Sequence, residues 1–391
     1  MAENSAFISK PRFEILDGLR GVAALIVVGF HMMETYRGPD YASQIINHGY
    51  LAVDFFFVLS GFVTGYAYDD RWGRMSTWEF FKRRLTRLHP MVVFSVIIGA
   101  SFYFFQGYYS KAALQDTGWI LFLACIATDL LMIPTGRGID TRGWGEITSL
   151  NGPSWSLMFE YWGNILYALI FRRLPVYGLA AICIVSAFFT MDVALGWDVF
   201  GLFNRQQFNL TGGWILNGQH MYTGIVRLIY PYVCGLLMAR LLAKRITLEN
   251  PSGSPIRMKN AFGWLSLAIV VILCMPCVSG KVGVIDGLYQ CMAVWFLFPL
   301  IVLVGAGSVI KGERVAGICK FLGDISYPLY IVHYPVAMMQ FRWIRNYPDA
   351  PLWMHIGVFI SVYVISIALA YGALKTFDEP VRAWLKKHWL K

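Results

Sequence analysis

Apolar stretches of about twenty residues recur along nearly the whole chain, separated by short polar breaks. A helix of about 20 apolar residues crosses the hydrocarbon core of a bilayer. Ten runs meet or approach that length: residues 15–33, 50–68, 89–107, 153–171, 175–195, 222–241, 261–279, 287–310, 322–341 and 352–373. An eleventh, 119–133, is only about fifteen residues long and carries Asp129, so it is expected to be re-entrant or interfacial. The pattern predicts an all-α, polytopic membrane protein with ten transmembrane helices plus that one short segment. No second domain, obvious repeat or low-complexity tract interrupts it, and residues 1–391 read as a single integral membrane domain.

The polar breaks set an orientation. With the first residues in the cytoplasm and the short run not crossing, twenty-three of the 33 Lys and Arg fall on the inner side and eight on the outer side. Arg20 and Arg227 lie within spans. Were the short run to cross, Arg172, Arg173 and the basic stretch from Arg240 to Lys259 would move outside, against the positive-inside bias. We therefore expect a multi-pass protein of the cytoplasmic (inner) membrane with both termini cytoplasmic and a flexible inner loop at 251–255. The stretch Met1–Phe13 is short and weakly basic and no small-residue cleavage site follows the first apolar run, which is expected to be retained as a span.

Composition narrows the class. A chain with 57% hydrophobic and 14% charged residues is not an ordinary water-soluble globule. Its net charge of +10 sits in short loops, where orientation and anionic membrane lipid explain it, and nucleic acid is not an expected partner. The seven cysteines form no disulfide-like framework, and Cys274-x-x-Cys277, beside a span end, reads as two buried thiols more readily than as a redox pair. No His and carboxylate spacing resembles a zinc site, so no metal is expected.

Ionisable side chains inside spans are costly and usually functional. Arg20 and His31 stand eleven residues apart, three helical turns plus about 20°, hence on one face and roughly 16 Å apart along the axis. The plainer alternative is that Arg20 snorkels to one interface while His31 sits in the opposite headgroup zone. Asp17, three residues before Arg20, offers an ion pair as the competing role. In the basic loop Lys82-Arg83-Arg84, Arg84 and Arg87 project from one side of a helix and can form a fork for phosphate; orientation signalling alone would also make this loop basic. Glu160 and Arg227 fall at similar depth and can neutralise one another. His333 reads first as a hydrogen-bonded packing residue, and Ser60 as a packing position. The segment 196–221 is rich in Gly, Asn, Gln and Trp, suited equally to a polar acceptor or to a plain surface loop.

These residues resemble the integral membrane acyltransferase 3 family. The likeness rests on Leu16-Asp17-Gly18-Leu19-Arg20-Gly21 through His31, on Val53 through Phe62, and on Phe80 through Arg84 with Arg87 and Pro90. It continues at Pro153-Ser154-Trp155-Ser156-Leu157-Met158-Phe159-Glu160, at Arg227 with Pro231 and Gly235, at Ile325 through His333, and at Glu379-Pro380. The chain departs from the family pattern just after Glu160, where Tyr161, Trp162 and Gly163 stand in place of a second Glu and a Gln before an aromatic residue.

The resemblance implies a membrane O-acyltransferase. It would move an acyl group, most often acetyl from acetyl-CoA, to a hydroxyl of a carbohydrate or lipid-linked saccharide acceptor at the outer side of the membrane. Acyl-CoA is then a donor substrate, with no tightly bound cofactor. His31 is the expected base, with Glu160 or Asp17 as the carboxylate that orients it. Arg20, Arg83, Arg84 and Arg87 are the expected acyl-CoA ligands, and Trp155, Ser156, Arg227, Tyr330 and His333 the expected pocket residues. A transporter or flippase is the alternative, its polar path lined by Arg20, Glu160, Arg227 and His333; no inverted-repeat pattern supports it. A tag placed at residue 251 is expected to be labelled from the cytoplasmic face alone, and labelling only from outside would overturn this topology.

Overall fold

The computed structural model describes residues 10–38, 40–106, 108–203, 207–246, 253–278 and 282–390, with the side chains of 108–117 excepted. The expected inner loop at 251–255 lies partly outside them. Thirteen α-helices follow one another among the described residues: α1 (Glu14–Arg37), α2 (Ala52–Tyr68), α3 (Thr77–Tyr103), α4 (Tyr108–Leu131), α5 (Trp155–Leu169), α6 (Val176–Leu195), α7 (Gly218–Ala243), α8 (Ala261–Cys274), α9 (Val284–Met292), α10 (Phe298–Gly307), α11 (Glu313–Asn346), α12 (Leu352–Ala373) and α13 (Glu379–Trp389). A π-helical turn, Ala293–Leu297, joins α9 to α10, and another, Leu374–Asp378, joins α12 to α13. There are no strands among the described residues, only an isolated bridge between Glu146 and Ile215.

A helix accompanies each of the ten expected spans, but only eight helical units among the described residues are long and apolar enough to cross a membrane. The chain is a multi-pass membrane protein, and α5 and α8 are only 15 and 14 residues long, below the length of about 20 at which a helix alone spans the hydrocarbon. Helix α8 stops where Met275 turns extended ahead of Pro276, as a residue before proline tends to do. The short run belongs to α4, which is interrupted at Gly118 (φ 74°). That leaves an apolar helix, Gly118–Leu131, too short to span.

Helix α3 begins well before the apolar run at 89. Ser76 Oγ accepts the Glu79 N–H at 3.1 Å and the Glu79 carboxylate accepts the Ser76 N–H at 2.7 Å, a reciprocal cap that starts the helix early. Arg83, Arg84 and Arg87 therefore ride on a helix that enters the bundle.

Two helix pairs organise the core, α1 against α11 and α2 against α7. Without a hydrophobic drive between helices in lipid, small residues allow the close backbone approach that holds such pairs. A Cβ at Gly21 would run into the Leu322 carbonyl oxygen, and one at Gly323 would lie 2.7 Å from Asp17 Cβ. Gly61 meets the Tyr232 carbonyl and Gly235 the Val58 carbonyl in the same way. The α2–α7 pair is also braced by charge: Arg227 Nη2 lies 2.7 Å from Asp54 Oδ2 with both side chains 1% exposed. The same nitrogen donates to the Tyr50 carbonyl at 2.6 Å, and Nη1 donates to the Gly212 carbonyl at 3.2 Å.

Both devices have measurable consequences. Gly21→Ala is expected to cost about 1–3 kcal/mol through overpacking, read as a lower Tm of the detergent-extracted protein. Asp54→Asn, which leaves the Arg227 guanidinium buried without its counter-ion, is expected to cost about 3–5 kcal/mol in the same measurement.

Candidate active site

Helices α1 and α11 run parallel, Arg20 of α1 lying beside Gly323 and Ser326 and His31 beside His333. Residues Asp17, Arg20, His31 and Glu34 fall on one face of α1, and Gly323, Ser326, Tyr327, Tyr330, His333 and Tyr334, related by steps of three and four, on one face of α11. The two polar stripes meet along the α1–α11 contact.

At one end stands a cationic cluster. Arg20 Nε donates to Ser326 Oγ at 2.7 Å and Nη2 to the Gly323 carbonyl at 3.0 Å, with Asp17 Oδ1 3.5 Å from Nη2. Asp17 thus serves Arg20, the competing role that its spacing offered. Arg84, buried, pairs with Glu160 at 2.8 Å, and Ser60 Oγ donates to the same carboxylate oxygen at 2.8 Å. Arg87 is exposed to solvent although Arg20, Arg84 and Asp17 lie around it, and no hydrogen bond or ion pair engages it among the described residues. Arg83, one residue from Arg84, is half-buried and already has a partner. Three arginines from α1 and α3, Arg20, Arg84 and Arg87, therefore gather at this end.

At the other end His31 Nδ1 lies 2.6 Å from Glu34 Oε2. A ring that donates from Nδ1 to a carboxylate keeps its lone pair on Nε2. The His31 ring stacks on His333, centroids 5.2 Å apart and 29° between planes, with Tyr334 edge-on at 5.3 Å. Beyond it Tyr334 Oη donates to Glu146 Oε1 at 3.3 Å, and Arg142 Nη1 reaches Glu146 Oε2 at 3.3 Å. Burial pushes the Glu146 carboxyl up to about 7, despite the opposing pull of Arg142. Local backbone chemistry supports this end: Pro335 lacks an N–H for the Ile331 carbonyl, and Asn151 Nδ2 donates to that carbonyl at 2.7 Å.

Between the ends, the Ser156 and Tyr330 hydroxyls meet at 2.6 Å, and Tyr330 packs 6.0 Å from His333. Trp155 covers the Arg227 guanidinium at 5.3 Å. Near His31, Tyr41 stacks on Phe30 and belongs to the wall of a cleft of about 370 Å³, also lined by Asp40, Gln207, Asn209, Trp214 and His220.

The structure brings His31 and His333 together at one end, with Tyr330 next to His333, and Arg20, Arg84 and Arg87 at the other. It brings neither Glu160 nor Asp17 to His31. The carboxylate there is Glu34, which falls just past the expected end of the first span, although its spacing of three from His31 was a readable signal. Glu160 and Arg227 do not neutralise each other: Arg84 takes the first and Asp54 the second.

Comparison with known proteins identifies the family. The family model described as "Acyltransferase domain" matches residues 13–374. Protein 2 in the picA locus of Rhizobium radiobacter is 34% identical over 192 residues, 47% of this chain and 95% of that protein. The O-acetyltransferase OatA of Staphylococcus aureus (strain NCTC 8325 / PS 47) is 22% identical over 374 residues, 94% of this chain and 57% of that protein. The chain thus spans little more than half the length of its Staphylococcus aureus relatives. No solved structure matches it. With nearly its whole length covered by one family model, the chain belongs to the acyltransferase family, as a multi-pass membrane member.

Proposed function

We propose that the protein is an O-acetyltransferase of the inner membrane that takes acetyl from acetyl-CoA on the cytoplasmic side and passes it to a hydroxyl of a surface carbohydrate or lipid-linked saccharide on the outer side. The observation that carries this reading is the pair of facing stripes on α1 and α11, with arginines at one end and a carboxylate-bonded histidine at the other. Coenzyme A bears several phosphates on a long, thin arm. Arg87, unengaged, and Arg84 and Arg20 beside it supply charge-assisted donors for the phosphates. The pantetheine arm follows the α1–α11 face towards His31, about 16 Å along the helix from Arg20.

At His31 the chemistry is general-base catalysis. Nε2 takes the proton of the acceptor hydroxyl as its oxygen adds to the thioester carbonyl carbon. The C–S bond then breaks, and the proton passes from the imidazolium to the departing coenzyme A thiolate. Glu34 holds the ring in the required tautomer and steadies the imidazolium. The cleft beside Tyr41 supports a saccharide acceptor, since Trp214 and Tyr41 offer ring faces and Gln207, Asn209 and Asp40 offer polar partners. Several of these come from the Gly-, Asn-, Gln- and Trp-rich segment that read as either acceptor contact or surface loop.

Purified protein assayed with acetyl-CoA and a saccharide acceptor tests the roles. His31→Ala is expected to lower kcat by about 10²–10⁴ with the protein still folded, and full activity would remove His31 from the mechanism. Arg87→Ala, which breaks no ion pair, is expected to raise KM for acetyl-CoA about ten- to a hundredfold with little change in kcat. An unchanged donor KM would return that arginine to orientation signalling. Mass spectrometry of surface glycans with and without the protein identifies the acceptor.

A further inference from the structure

Outside the α1–α11 face, the loop between α1 and α2 and the loop between α8 and α9 are tied together at the His31 end. The His48 N–H donates to the Leu273 carbonyl at 2.9 Å, and His48 Nδ1 donates to the Met275 carbonyl at 2.9 Å. Cys277 follows two residues later, and Asp286 lies in the first turn of α9. One ligand atom each from His48, Cys277 and Asp286 lies within 4.8 Å of the others, and the three residues are only 1%, 7% and 3% exposed.

Two further observations point to a ligand. With Nδ1 spent on a carbonyl, the lone pair of the His48 imidazole rests on Nε2, and that buried atom has no hydrogen-bond partner. This is the arrangement by which backbone carbonyls orient metal-binding histidines. The Asp286 carboxylate is held in the same manner, accepting the Val278 N–H at 3.0 Å and the Gly283 N–H at 2.9 Å. Each of its oxygens keeps a further lone pair.

We propose that His48, Cys277 and Asp286 form a binding site for a divalent zinc ion. A nitrogen, a thiolate and a carboxylate suit a borderline-soft tetrahedral ion, whereas magnesium and calcium take oxygen donors. As the Zn–S bond forms, the Cys277 thiol gives its proton to solvent. The dication, the thiolate and the Asp286 carboxylate then sum to zero charge, which suits a buried place. Three protein ligands leave a fourth position for water. The ion would fasten the α1–α2 loop, which leads through Tyr50 to the carbonyl held by Arg227, onto the start of α9. The proposal is independent of the acyl-transfer reading.

The test uses the full-length protein in detergent, stripped with a chelator and titrated with zinc against a chromophoric competitor. One equivalent is expected to bind, with affinity reduced more than tenfold in Cys277→Ser and in His48→Gln. Bound zinc is also expected to slow alkylation of Cys277, followed by peptide mass spectrometry, while Cys274 is unaffected. Cobalt in the wild-type protein is expected to produce a near-ultraviolet thiolate charge-transfer band, a readout that requires no variant to fold. Monodisperse wild-type protein that binds no zinc, or that binds it without protecting Cys277, overturns the proposal, as does the absence of the cobalt band.

Discussion

A guanidinium only partly open to solvent takes its acceptors from the protein, and at Arg20 that requirement binds α1 to α11. Arg20 reaches Ser326 and the Gly323 carbonyl on α11, and three turns along α1 His31 lies flat on His333 of the same partner. Two contacts so far apart along one helix fix both the register and the parallel direction of the pair. The polar stripe of each helix is then necessarily turned towards the other. Pro328 and Pro335 would otherwise leave carbonyls of α11 unsatisfied at this depth, and Asn151 shows how one such debt is met by a neighbouring segment.

Helix placement was legible from apolar run length alone: α1, α2, α6, α7 and α12 coincide with their expected spans to within a few residues. Where reading by run length fell short, polar chemistry was the reason. The Ser76 and Glu79 cap starts α3 in a polar stretch and so carries Arg84 into the bundle as a helical residue. That shift decides the partner of Glu160. Depth along the sequence suggested Arg227, but the earlier start of α3 brings Arg84 to the carboxylate, while Asp54 occupies Arg227.

The candidate site divides in the same way. The Arg20 and His31 relation is a property of one helix and follows from spacing, and the Asp17 to Arg20 pair follows from the same rule. The approach of His333 to His31 joins residues 302 positions apart, and the grouping of His48 with Cys277 and Asp286 joins two loops. No local periodicity carries such contacts. They depend on which helices become neighbours, and this was written in small residues such as Gly21, Gly61, Gly235 and Gly323, whose role is visible only once the facing backbone is known.

The tightness of the α1–α11 seam also governs access. At Gly18 even a single added carbon would lie 2.9 Å from Cys319 Sγ and 2.8 Å from the Phe262 ring, and at Gly21 it would collide with backbone. A hydrocarbon tail is far bulkier than one methyl group, so the Arg20 half of this seam is shut to molecules diffusing sideways in the lipid layer. Sideways access to the Arg20 guanidinium between α1 and α11 is therefore closed by backbone contact rather than by a side chain that could swing aside.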